Sequence, residues 1–159
     1  MMNTKVLSRT YLFEGLNLKE LELLLVSAGE ITYSKNDIVF REGERGNKIF
    51  MVSQGVIEIW KKESTELKGS CLAKVKDGEL FGEMSIFDRQ PRSASAIAAA
   101  DQKTKVLVWG EKEMMGLIEE YPALGTKILL NVIKKLSGHL RGANNAIHSL
   151  RKTFLPVHG

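Results

Sequence analysis

The chain has one cysteine among 159 residues, Cys71, so it can form neither an internal disulfide nor a cysteine-based metal site. An iron–sulfur cluster usually needs about four thiolates and is excluded as well. The histidines are few: His139, His148 and His158. The first two are nine residues apart and do not share a helical face cleanly, so no metal site is expected. No Ser-His-Asp set, paired carboxylates or HExxH motif is present, and Glu83 has no general-acid partner in sequence. The reading is therefore not an enzyme. Long apolar runs are missing too. ILLNVI at 128–133 is interrupted, far short of the roughly 18 residues of a membrane span. The opening MMNTKVLSRTYLFEG lacks the apolar core of a secretory signal. These absences lead to the expectation of a soluble cytoplasmic protein with no membrane segment.

Charge of one sign is scarce as well. Residues 1–110 carry 16 Lys and Arg against 15 Asp and Glu, while residues 111–159 carry 7 against 4. An excess of this size is too small to be an electrostatic footprint for nucleic acid and reads as a solvated face. What the chain does have is 43% hydrophobic residues in a length that suits one domain, taken as 1–159.

Three zones follow along that length. Asn17 can cap a helix beginning LKELELLL, whose leucines 18, 21, 23, 24 and 25 give one broad apolar face, with Gly29 placed to stop it. From about 30 to 109, short apolar runs recur between turn residues: EITYS, DIVFRE, KIFMVS, VIEIWKK, CLAKVK, SASAIAAA and KVLVWG. That rhythm predicts an antiparallel all-β roll of the jelly-roll or double-stranded β-helix kind, and no βαβ pattern appears. Cys71, Trp60 and Trp109 fall in these runs and are expected to pack in the core or at a sheet edge. From about 111 to 154 the pattern is helical. EKEMMGLIEEY stops before Pro122, and a second helix runs over 122–154 with proline in its first turn. Its apolar residues Leu129, Ile133, Leu136, Leu140, Ala143, Ile147, Leu150 and Phe154 step by 4, 3, 4, 3, 4, 3 and 4. This is a coiled-coil seam, and one strand of a coiled coil needs a partner, so a homodimer through helix 122–154 is expected. Gly138 and Gly142 lie on one face of this helix. They either admit close approach of another group or mark a flexible segment.

The stretch that carries chemistry is GELFGEMSIFDRQPRSASAIA, residues 78–98. Gly82 can adopt backbone conformations closed to other residues. A single helical turn after it would offer free N–H groups to an anion. Arg92 presents a planar fork matching two phosphate oxygens, Ser93 adds a hydroxyl, and Pro91 stiffens the approach. Glu83 would repel a phosphate but could accept a hydrogen bond from a sugar hydroxyl. A small anion carrying a ribose satisfies all four. A surface turn with an exposed arginine and glutamate is the plainer alternative.

GELFGEMSIFDRQPRSASAIA resembles the phosphate-binding cassette of the cyclic nucleotide-binding domain family. The upstream DIVFREGERGNKIFMVSQGVIEIW resembles that family's early strands, and LFEGLNLKELELLL its leading helix. The likeness spans roughly residues 10–150. It implies a site made of Phe81, Gly82, Glu83, Met84, Ser85, Arg92, Ser93 and Ala94, with Phe81 and Met84 mostly core. By the same resemblance, the Gly82 N–H holds the cyclic phosphate, and Glu83 takes the ribose 2′-hydroxyl. Arg92 pairs with the phosphate oxygens, supported by Ser93. Arg89 matches no ligand position. A C-terminal helix closes over the base in this family, which implies Asn144 near the base edge. An amide both donates and accepts, so Asn144 does not choose between cAMP and cGMP. cAMP is the expected ligand and cGMP the alternative.

The implied function is a sensor that passes ligand binding through its C-terminal helix to a downstream protein partner. Catabolite-activator-type regulators continue into a helix-turn-helix domain. This sequence stops at Gly159 after RKTFLPVH, so direct DNA binding is not expected from it. The alternatives are the sensory half of such a regulator and the regulatory domain of a kinase or channel.

Overall fold

A computed structural model describes residues 4–62 and 69–154, and the side chains of the described residues up to 152. Residues 1–3, 63–68 and 155–159 lie outside the described residues, and with them His158 and the tail; the Phe154 side chain does too. After a short helix α1 (Thr4–Leu7) and a 3-10 turn (Tyr11–Phe13) comes α2 (Leu18–Ser27). Eight strands follow: β1 (Gly29–Tyr33), β2 (Ile38–Phe40), β3 (Lys48–Gln54), β4 (Ile57–Lys61), β5 (Ser70–Val75), β6 (Leu80–Phe81), β7 (Ser95–Ala98) and β8 (Thr104–Gly110). Helix α3 (Met84–Asp88) interrupts them between β6 and β7, and α4 (Glu111–Glu120) and α5 (Pro122–Phe154) close the chain.

The strands form two antiparallel four-stranded sheets, ordered β1-β8-β3-β6 and β2-β7-β4-β5. The two cores explain why alternation along β3 and β8 is imperfect. Phe50, Val52 and Val106 point between the sheets, where they meet Ile57, Phe81 and Ala96. Ile49, Met51, Leu107 and Trp109 point the other way, against Leu24 of α2, Met114 of α4 and Leu124 and Ile128 of α5. A strand covered on both faces reads as a continuous apolar run. Trp109 is the hinge of the helical core: its indole N–H donates to the Leu24 carbonyl at 2.8 Å, and its ring meets Phe13 edge-on at 5.5 Å.

Several expectations need correction. Leu18 is exposed, so the buried face of α2 is narrower than its leucine count implies and rests on Leu21 and Leu24. Gly29 does not cap α2. The helix ends at Ser27 with Ala28 extended, and Gly29 opens β1 beside Val108. Of the two places expected for Cys71, it takes the sheet edge, exposed on the outer strand β5, and not the core.

Helix α5 has the extent that its heptad spacing predicts. Its first half is anchored by Leu124, Ile128 and Asn131, all buried. Asn131 Nδ2 donates to the carbonyls of Leu12 and Glu14, at 3.1 and 2.9 Å, which ties the helix to the 3-10 turn. The Leu129–Leu150 seam faces outward: Leu129, Ile133, Leu136, Leu140, Ile147 and Leu150 are 43–63% exposed. A Cβ on Gly138 or Gly142 would meet nothing within 4 Å in this chain.

Glu20 joins α2 to α5. Its carboxylate accepts from the Asn17 backbone N–H in a capping box and from Lys127 Nζ at 2.7 Å. Burial pushes its carboxyl up, but the bonds from Lys127 and Asn17 outweigh that and hold it below its ordinary value. A depressed carboxyl contributes stability that is full above the unfolded value, near 4.3, and is lost as pH falls through the folded one. Glu20→Gln keeps the capping geometry and removes the charge. It should cost at most about 1 kcal/mol at neutral pH, the range of a partly exposed ion pair. Thermal unfolding at pH 7 and pH 3 should show the gap between variant and parent closing in acid.

Candidate functional site

The cassette is built around one side chain. Arg92 follows Pro91, whose extended backbone bridges to Arg45. The Arg92 N–H donates to the Glu44 carbonyl at 2.8 Å, and its own carbonyl accepts from Gly43 N–H at 2.9 Å. The loop between β2 and β3 thus holds the arginine's main chain like a strand. The guanidinium turns inward, and the residue as a whole is only 6% exposed. Nη1 donates to the Gly82 carbonyl and to Ser85 Oγ, both at 2.6 Å, and Nη2 to the Lys48 carbonyl at 2.8 Å. Its face lies 4.2 Å from the Phe40 ring centroid, within the aromatic cluster of Phe40, Phe50 and Phe81.

Among the described residues no carboxylate lies within ion-pair distance of this guanidinium. Burial lowers its pKa, and the charges of Glu44 and Glu83 offset part of that. A buried cation held by neutral oxygens and a ring is expensive until an anion approaches. Nε–H and the second N–H of Nη2 make no hydrogen bond within the described residues.

Two glycines make room for it. Gly82 has φ +72°, and a Cβ there would lie 2.6 Å from Arg92 Nη1. At Gly46 a Cβ would collide with Ser85 Oγ and come within 2.8 Å of Arg92 Cζ. Gly82 stands out in sequence. Gly46 does not, because only the folded loop brings it against the cassette.

The groove beside Arg92 has a volume of about 450 Å³. Phe81, Gly82, Glu83, Met84, Ser85, Arg92, Ser93 and Ala94 all border it, so the fold brings the cassette residues together. Phe81 and Ala94 are buried, and Ser93 is exposed, with its carbonyl accepting from Lys61 Nζ at 2.7 Å. Met84 is not core: at 48% exposed it opens α3 on the groove's rim, since the inward face of that short helix belongs to Ser85 and Ile86. Arg89 is exposed, 3.8 Å from Glu111. The apolar wall of Phe40, Ile59 and Leu72 and the α5 residues Lys135 and His139 also line the groove. None carries a local motif, since they come from β2, β4, β5 and α5. Asn144 is exposed on α5 and does not border the groove.

The site is thus a glycine-cradled arginine beside an apolar groove at one end of the roll. The chain belongs to the cyclic nucleotide-binding domain family, whose model matches residues 30–121. It is 32% identical over 127 residues to the Cyclic AMP receptor protein of Thermus thermophilus, covering 79% of this chain and 56% of that protein. Its structure is similar to the N-terminal domain of a transcriptional regulator from Streptomyces coelicolor, with TM-score 0.76 and 30% identity, covering 89% of this chain and 94% of that one. It is also similar to the Thermus thermophilus Catabolite Activator Protein, with TM-score 0.77 and 30% identity, covering 88% and 62%. The chain therefore spans little more than half the length of the curated receptor that it matches.

Gly82→Ala should force a left-handed backbone onto a residue with a Cβ and push Arg92 aside. A destabilisation of about 1–3 kcal/mol is expected, read as a lower thermal midpoint of the unliganded protein.

Proposed function

We propose that the chain is a cyclic nucleotide sensor that acts by binding rather than catalysis, with cAMP as ligand and cGMP as the alternative. The observation that carries this reading is the buried, carboxylate-free Arg92 beside a groove large enough for a nucleotide. Arg92 takes the cyclic phosphate, with the Gly82 N–H and Ser93 beside it, and Glu83 takes the ribose 2′-hydroxyl. Phe81, Met84, Ser85 and Ala94 shape the cassette, and the base lies toward the apolar wall and α5. cAMP is favoured over cGMP by the likeness to the Cyclic AMP receptor protein of Thermus thermophilus.

Ligand binding biases the position of α5, because a nucleotide seated against both cassette and helix binds two helix positions with different affinity. The exposed seam supports a homodimer through helix 122–154. Asn144 joins a site only when α5 shifts or a second copy brings its helix across. The whole would act in the cytoplasm, signalling to a downstream protein; among the described residues no helix is long and apolar enough to cross a membrane. A second reading, the sensory part of a transcription regulator, is favoured by the likeness to the Streptomyces N-terminal domain and the Thermus activator.

Calorimetric titration with cAMP and cGMP tests the first reading. Binding of at least one is expected, and Arg92→Ala should weaken it by about two orders of magnitude or more, since a desolvated phosphate loses its countercharge. No heat and no thermal shift with either nucleotide would overturn the reading. Dimerisation has its own check. Light scattering should give twice the chain mass, and Leu140→Glu on the seam should give a monomer that still binds nucleotide.

A further inference from the structure

Glu83 lines both the nucleotide groove and a second, smaller cavity of about 60 Å³ bordered by the 3-10 turn, α3 and α5. Its backbone is already helical, and its side chain makes no capping bond to α3, so the carboxylate is free to serve elsewhere. Across the smaller cavity stands Tyr11. Its neighbours hold it firmly: Leu12 and Phe13 are buried in the helical core, and Asn131 of α5 donates to the carbonyls of Leu12 and Glu14. On the other side, Thr10 Oγ1 donates to the Gly78 carbonyl at 2.9 Å, just ahead of β6 and the cassette. Lys135 of α5 places its Nζ 4.7 Å from the centre of the Tyr11 ring, a cation–π contact.

Tyr11 and Glu83 line this same cavity. The phenol is raised well above its ordinary value, first by burial, then by the Glu83 charge and the hydrogen bond between them. At every pH near neutrality it is thus a proton donor. The rest of the lining is largely apolar, with Phe87, Val132 and Leu136 around the pair, and a hydrogen bond to a charged group gains strength where water is scarce.

We propose that Tyr11 is a positioning residue for Glu83, holding its carboxylate at the groove wall where the ribose 2′-hydroxyl binds. Lys135 on the Tyr11 ring ties that hold to the position of α5. This rests on the nucleotide reading above and deepens it: sugar recognition and helix position share one side chain that belongs to neither the cassette nor the helix. The other titratable groups lining the cavity are Lys135 and His139 from α5 and Asp88 from α3.

The test compares cAMP with 2′-deoxy-cAMP by calorimetry, on the wild-type chain, Tyr11→Phe and Glu83→Gln. Phenylalanine keeps the ring and its Lys135 contact and removes only the hydroxyl. Because the two ligands are measured on the same protein preparation, any general loosening of the fold weakens both alike. The wild type should prefer cAMP, and Glu83→Gln should erase that preference. Tyr11→Phe should weaken cAMP by about fivefold to tenfold while leaving 2′-deoxy-cAMP within about twofold. Equal weakening of both ligands, or no change, overturns the proposal and leaves the nucleotide reading standing. Selectively tighter cAMP binding also overturns it, since Tyr11 would then draw Glu83 away from the sugar. If the wild type or Glu83→Gln fails to behave as stated, the assignment of Glu83 to the ribose is wrong and the proposal falls with it.

Discussion

A guanidinium buried without a carboxylate governs the arrangement of this molecule. Arg92 is kept in place by the carbonyls of Gly82 and Lys48, by Ser85 Oγ and by the face of Phe40. Each partner constrains something else. The Gly82 carbonyl requires a left-handed glycine, and Ser85 requires α3 to start where it does. The Lys48 carbonyl makes the head of β3 part of the site, and Gly46 must lack a side chain. The Phe40 contact requires the two sheets to close at that end of the roll. Neutral oxygens and a ring stabilise the cation only partly, which is what makes Arg92 the centre of the proposed nucleotide site.

The helices extend this constraint outward. Trp109 and the residues around it bind α2, α4 and the first half of α5 to the back of one sheet, while the seam of α5 stays uncovered. A helix that is firmly seated at one end and unpartnered at the other is suited to moving as a lever. Lys135 and His139 lie between those two regimes and border the groove, so under the proposed function they stand where nucleotide and helix meet.

Much of the fold was legible from the residues. Turn-separated apolar runs marked seven of the strands, Asn17 marked the start of α2, and the heptad steps marked α5 over its full length. The two-residue strand β6 was not legible, because Leu80–Phe81 is too short to show a period and owes its existence to pairing with Phe50 and Met51. Gly29, Leu18 and Met84 misled for a common reason. A residue's type suggests a role, yet its neighbours across the fold decide whether that role is needed.

The sequence by itself determined the cassette, the arginine at its centre and the helix with an apolar seam, because local turn chemistry and periodicity are written in consecutive residues. Only the tertiary structure decided what surrounds them. Gly46 against Ser85, Phe40 beneath Arg92, Tyr11 against Glu83, and Lys135 and His139 at the groove come from segments far apart in the chain. Their contacts depend on how two sheets and five helices pack, which no local pattern records.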